Sequence, residues 1–179
     1  MRLPDFPAAF ASAHAFRPLG TLSIRSGALV ACDPLSEPDR APLELRVPPG
    51  DHAVDLCVSE GVIACARLTL APGEVASWEL AVVAGQRPST LEDGEVFGYP
   101  VDSGVGCFMD AHVAEVLAED EDASDELLEA LEDLDAVSFQ LARAGGNLVA
   151  FRSGQGDGLY PTYVGYAADG ETKIGRAHV

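Results

Sequence analysis

Pro48-Pro49-Gly50-Asp51, Glu60-Gly61 and Ala71-Pro72-Gly73-Glu74 cut residues 43–84 into short pieces, each bounded by strong turn residues. Between those turns the chain reads as strand. Leu43-Glu44-Leu45-Arg46-Val47 alternates with period 2, and His52–Ser59 alternates again with Ala53, Leu56 and Val58 among its apolar members. Val62–Leu70 is a longer apolar run, and Val75–Ala84 carries Trp78 in its middle. Strands joined by turns this short pair antiparallel with their chain neighbours, which predicts a β meander over 43–84.

The rest of the chain is punctuated in the same way. Thr21–Ile24 and Ala28–Cys32 are apolar runs separated by Arg25-Ser26-Gly27, a hairpin signature, and Asp33-Pro34 ends the second. Residues 35–42 read as a loop, 85–94 as a polar connector and 96–101 as a short strand. Helix is predicted after Asp110. His112, Val113, Val116 and Leu117 form one amphipathic turn, and Leu127, Leu128, Leu131 and Leu134 form the face of a second helix capped by Asp122 or Ser124. Phe139–Arg143 and Asn147–Phe151 read as strands, and Leu159–Tyr166 returns from the glycine-rich loop that follows Phe151. The predicted fold class is α+β: a largely antiparallel sheet with one or two helices inserted around 111–135. Residues 1–19 form an N-terminal extension in which Ala8–Phe16 makes one or two helical turns. Residues 20–172 form the single domain.

Composition narrows the partners. An apolar fraction of 47% over 179 residues excludes a disordered chain and allows one well-packed core. The net charge is −18, so the surface repels nucleic acid and anionic membranes and attracts basic protein. Eleven of the 29 acids fall between Ala111 and Asp135, where there is no Lys or Arg. Like charges four residues apart destabilise a helix, so packing of the leucine face has to hold this one. No apolar run approaches the ~20 residues of a membrane span, and Met1–Pro7 lacks a signal peptide's apolar region, which points to the cytoplasm. Cys32, Cys57, Cys65 and Cys107 include no C-x-x-C pair, which argues against a zinc knuckle or a thioredoxin-type pair. The first three read as small buried hydrophobes.

Two segments share a grammar of small residues bracketed by acids: Asp102-Ser103-Gly104-Val105-Gly106-Cys107-Phe108-Met109-Asp110 and Ser153-Gly154-Gln155-Gly156-Asp157-Gly158. Three chemistries fit them. Asp102, Asp110 and Asp157 with backbone carbonyls suit Ca²⁺ or Mg²⁺, although neither segment has EF-hand spacing and no resident cofactor is implied. Cys107 at a helix start, activated by His112 and oriented through Asp102 or Asp110, suits nucleophilic catalysis. A ligand held by the glycine loop would meet Ser153, Gly154, Gly156, Gly158, Tyr160 and Tyr163. The structural alternative is that the three aspartates accept hydrogen bonds from neighbouring glycine N–H groups and lock the turns, while Tyr160 and Tyr163 pack on the sheet. No nucleophile elbow, HExxH, Walker A or Rossmann fingerprint is present.

Several of these pieces resemble the bacterial DUF4241 domain family: Leu29-Val30-Ala31-Cys32-Asp33-Pro34, the Val47-Pro48-Pro49-Gly50 turn, Gly98–Asp110 and Asn147–Tyr166. They cover most of residues 20–170. The chain departs at Gln155 and Val164, where similar sequences carry tryptophan. The resemblance implies a single mixed domain and supplies no activity. Residues 173–179 are read as a non-native tail, because Ile174-Gly175-Arg176-Ala177-His178-Val179 is what one reading frame of a common sequencing adapter encodes.

Two functions follow as expectations. One is a cytoplasmic acidic binding protein, such as an immunity- or antitoxin-like partner of a basic protein. The other is a small hydrolase or transferase, or a cation-dependent ligand-binding domain, with its site at the two Gly-Asp loops. Both require those loops to meet at one end of the β scaffold, with the acidic helix on the outside.

Overall fold

A computed structural model describes residues 16–170 and, through its backbone pairing, the strand at 172–178. The helical turns expected over Ala8–Phe16 lie largely outside the described residues, as do the side chains of Arg176 and His178. Among the described residues regular structure is already present at Phe16, before the domain start expected at residue 20.

The first layer is a sheet of six antiparallel strands in the order β1-β3-β4-β12-β11-β5. These are β1 (Phe16–Ile24), β3 (Gly50–Ser59), β4 (Val62–Thr69), β5 (Ser77–Leu80), β11 (Thr162–Tyr166) and β12 (Thr172–His178). The second layer has four antiparallel strands, β2 (Leu29–Cys32), β7 (Val105–Asp110), β9 (Gly146–Arg152) and β8 (Ala136–Leu141), adjacent in that order. Helices α1 (Ala111–Ala118) and α2 (Glu121–Ala130) form the third layer. A small ribbon pairs β6 (Tyr99–Val101) with β10 (Gly158–Tyr160). The α+β class is therefore correct, and both helices lie inside the predicted window.

Strand pairing departs from chain order. The β3–β4 hairpin forms as read, through Glu60 and Gly61 at φ 53° and 85°, the left-handed pair that a two-residue hairpin turn requires. The predicted meander stops there. β11 and β12 insert between β4 and β5, and Leu43–Val47 makes only isolated bridges, Leu43 with Val83 and Arg46 with Ala28. The hairpin expected across Arg25-Ser26-Gly27 does not form either. β1 pairs with β3, whereas β2 pairs with β7 in the other sheet. Burial gives the reason: all four residues of β2 are buried, so it needs cover on both faces, while β1 is largely exposed along its first half. The return strand splits at Pro161, with β10 before it and β11 after it.

The four-stranded sheet is the centre of the molecule. β7 is buried along its whole length and β9 at five of its seven positions. Alternate residues feed two cores. Phe108, Val149 and Phe151 point into the first, with Leu22, Leu56 and Leu68 of the six-stranded sheet. The Phe108 and Phe151 rings meet edge-on at 5.7 Å. Cys107, Met109 and Leu148 point into the second, against Leu117, Leu127 and Leu131 of the helical layer. The segment read as a glycine turn opening into a helix is thus a turn only at 102–104. From Val105 it is a central strand, and Gly106 is needed because a Cβ there would lie 2.7 Å from the Tyr99 hydroxyl and 2.9 Å from the Phe151 ring.

The predicted leucine face of α2 is half right. Leu127 and Leu131 are buried, whereas Leu128 and Leu134 are exposed at 47% and 51%. The cap is Asp120, whose carboxylate accepts from Ala123 N, and neither Asp122 nor Ser124 serves.

Candidate functional site

The two glycine turns do meet. Ser153 N donates to Gly104 O at 2.8 Å, and β10 lies on β6 with Gly158 opposite Val101. The loop closes on itself: the Ser153 and Tyr160 hydroxyls both donate to Gly156 O, at 2.8 and 2.7 Å. Gly154 packs directly on the Ile63 carbonyl, leaving no room for a side chain. Tyr160 and Tyr163 are buried, and burial pushes the Tyr163 phenol up. Of the candidate binding residues, these two form walls of the core. Ser153, Gly154, Gly156 and Gly158 build the loop.

The four candidate catalytic residues do not come together. Asp102 and Asp157 have exposed side chains beside the paired turns. Cys107 is fully buried in the middle of β7, with its sulfur 3.6 Å from Cys32 Sγ. It does not lie at a helix N-terminus. The bond with the Cys107 sulfur, together with burial, pushes the Cys32 thiol well up. Asp110 ends β7, roughly 17 Å along the strand from Val105 at ~3.3 Å per residue. His112 is exposed on α1, 3.6 Å from Glu115. The nucleophile, its proposed base and Asp110 therefore lie apart from the turns that carry Asp102 and Asp157. Among the described residues no group of three His, Cys, Asp or Glu side chains could hold a metal ion.

Asp110 has a structural task. It caps α1 by accepting from His112 N at 2.8 Å, and it binds the β1–β2 corner through Arg25 N at 2.6 Å, Ser26 N at 2.8 Å and Ser26 Oγ at 3.0 Å. Burial works to raise its pKa, but these donors outweigh burial and hold the carboxyl below the usual range. Sequence reasoning gave Asp110 glycine partners. The real donors lie 84 and 85 residues away at the corner and two residues on in the helix.

Asp33 is the carboxylate that the sequence reading missed, having taken it only as the end of a strand. It is fully buried and accepts from Leu35 N, Ser36 N, Asp102 N, Ser103 N and Ser103 Oγ. It thereby fixes the 102–104 turn. Burial pushes its carboxyl up, and Ser103, through hydroxyl and N–H, leads the bonds that bring it below the ordinary value. The Asp-Pro-x-Ser string that surrounds it, with N–H groups two and three residues on, was the available signal.

The outer face of the helical layer is chemically distinct. Of the eleven acids between 111 and 135, ten are exposed. The eleventh, Asp120, is buried and takes Arg143 Nη1 at 2.7 Å. Leu128 and Leu134 stand exposed among these carboxylates. This arrangement presents a strongly negative surface with apolar points inside it. No helix among the described residues is long and apolar enough to cross a membrane.

No curated protein and no solved structure matches the chain. A family model does, over residues 22–173, and it is described as a protein of unknown function, DUF4241. The match spans most of the chain and includes the whole four-stranded sheet and both helices, so this protein belongs to the DUF4241 family.

Proposed function

We propose that the protein is a cytoplasmic binding protein that docks a basic protein on the outer face of α1 and α2, in the manner of an immunity protein or antitoxin. One observation carries the reading: residues 111–135 expose ten carboxylates and no Lys or Arg, together with exposed Leu128 and Leu134. Charges of one sign steer an oppositely charged partner and raise its on-rate. Apolar side chains inside a charged rim supply the desolvated contact that slows departure. The dispersal of Asp102, Cys107, Asp110 and Asp157 weighs against the hydrolase or transferase reading, because a nucleophile needs its base within hydrogen-bond reach.

The test is quantitative co-purification from cells that carry the gene. The native chain is compared with a variant in which Glu121, Asp125, Glu129 and Glu132 become lysine. The expected result is a basic protein captured by the native chain, released by raised salt, and absent with the variant. Identical capture by both chains would remove the reading.

A further inference from the structure

The outer edges of the two large sheets are β1, β5, β2 and β8. Exposed edges invite another strand, and proteins block them with proline, bulges, charge, brevity or a covering segment. Three of the four are blocked. β1 has Pro18 and a break in register between Pro18 and Gly20. β5 is four residues long and carries Glu79. β2 is covered by the 43–47 segment, with Leu43 N on Leu29 O at 2.9 Å and Val47 N on Gly27 O at 3.1 Å. β8 differs. Its six residues, Ala-Val-Ser-Phe-Gln-Leu, include no charge, proline or glycine, and among the described residues it pairs only with β9.

The register shows which backbone groups face outward. Arg152 N donates to Asp135 O at 2.7 Å, and the ladder runs from Ala136 opposite Phe151 to Leu141 opposite Gly146. Hydrogen-bonded pairs alternate along an antiparallel ladder, so Val137, Phe139 and Leu141 bond to β9. The N–H and C=O groups of Ala136, Ser138 and Gln140 therefore point away from the sheet. Carboxylates bracket this edge. Asp133 and Asp135 stand exposed just before it, and at its far end a recess of about 280 Å³ between α2 and β8 is lined by Asp122, Glu126, Gln140 and the Asp120–Arg143 ion pair, so that Asp122 and Glu126 are the carboxylates left over there. A second copy of a chain with net charge −18 would be repelled from such an edge, whereas a basic segment would be drawn to it.

We propose that β8 is a strand-addition site, where an extended basic segment of the protein partner pairs with the outward backbone of Ala136, Ser138 and Gln140 while its Lys or Arg side chains meet the carboxylates at both ends. The proposal rests on the docking function above and specifies its binding mode.

The test uses the full chain and a capped decapeptide of alternating lysine and valine, read by fluorescence anisotropy. A second peptide of the same sequence carries N-methyl groups on alternate amides. Gln140→Pro removes an outward N–H and leaves every β8–β9 bond in place. N-methylation and Gln140→Pro are each expected to weaken binding about tenfold, which is one or two lost hydrogen bonds. Equal binding of the plain and methylated peptides would overturn the strand-addition mode. If the four lysine substitutions at residues 121, 125, 129 and 132 still abolished that binding, acidic docking would survive without it. No binding by the native chain also overturns the edge proposal, leaving co-purification to judge the docking function. A concentration-dependent dimer that blocks the peptide, or binding that appears only after removal of residues 1–15, would show another occupant and overturn it too. Should Gln140→Pro unfold the chain, the methylated peptide decides alone.

Discussion

Asp33 and Ser103 are joined twice, Ser103 Oγ donating to Oδ1 and Ser103 N to Oδ2, both at 2.7 Å. The contact ties the end of β2 to the turn that enters β7, across 70 positions of sequence. Asp33→Ala would leave five donors without an acceptor in a buried place and is expected to cost about 2–4 kcal/mol. Ser103→Ala should cost only about 1 kcal/mol, because it removes a single hydroxyl bond. Urea unfolding measures both, and an Asp33→Ala variant as stable as the native chain would contradict this role.

The same carboxylates set a pH dependence. Asp33 and Asp110 are both held below the ordinary carboxylate value in the folded state. A depressed folded pKa contributes stability that is complete above the unfolded value, ~3.9, and is lost as pH falls through the folded one. The native chain should therefore lose stability on acidification below about pH 4 more steeply than Asp33→Asn or Asp110→Asn. Parallel stability curves between pH 2 and 6 would show that neither carboxylate carries the linkage.

Gly106 and Tyr99 form a testable pair. A Cβ at Gly106 would press on the Tyr99 hydroxyl, which is buried with no hydrogen-bond partner among the described residues, and on Phe151. Gly106→Ala is expected to cost about 1–3 kcal/mol as overpacking. Tyr99→Phe should be neutral or stabilising, since it deletes an unsatisfied buried polar atom. In the double variant about 0.5 kcal/mol or more of the glycine penalty should return. Strict additivity in a double-mutant cycle would mean that the hydroxyl is not what the glycine accommodates.

Self-repulsion on the helical layer predicts a salt effect. At 10 mM salt the Debye length is about 30 Å, so the ten exposed acids of residues 111–135 are only weakly screened from one another. Raising sodium chloride from 10 to 500 mM should raise Tm, and Glu→Gln at 121, 129 and 132 should reproduce part of that rise, at a few tenths of a kcal/mol each. A Tm that is flat or falls with salt would show that the carboxylates do not oppose folding.

All four cysteines are buried thiols. Native protein should react with a thiol reagent such as Ellman's at a rate set by unfolding, and four thiols should titrate once urea is added. Rapid reaction of Cys107 in the native state would revive the nucleophile reading.

What could be read from residues alone was what neighbouring residues decide. Glu60-Gly61 makes its hairpin because left-handed backbone is cheap there, and the 111–135 window is helical because its apolar spacing admits one periodicity. The meeting of the two glycine turns was also legible, since each follows a strand of similar grammar. Their chemistry was not, because a carboxylate's role depends on donors that arrive from distant sequence: Arg25 and Ser26 for Asp110, Asp102 and Ser103 for Asp33.

Local pattern is enough for the α+β class, the turns, the helical window and a negative face that stays in water. Which strands are neighbours follows only from the packing of the whole chain. A period-2 pattern says that a strand has two faces, but every strand offers the same backbone donors and acceptors to any other. Total burial breaks that degeneracy. Val105–Met109 needs apolar cover on both faces, so it becomes the centre of a sheet between β2 and β9, and Cys107 goes into the core with it.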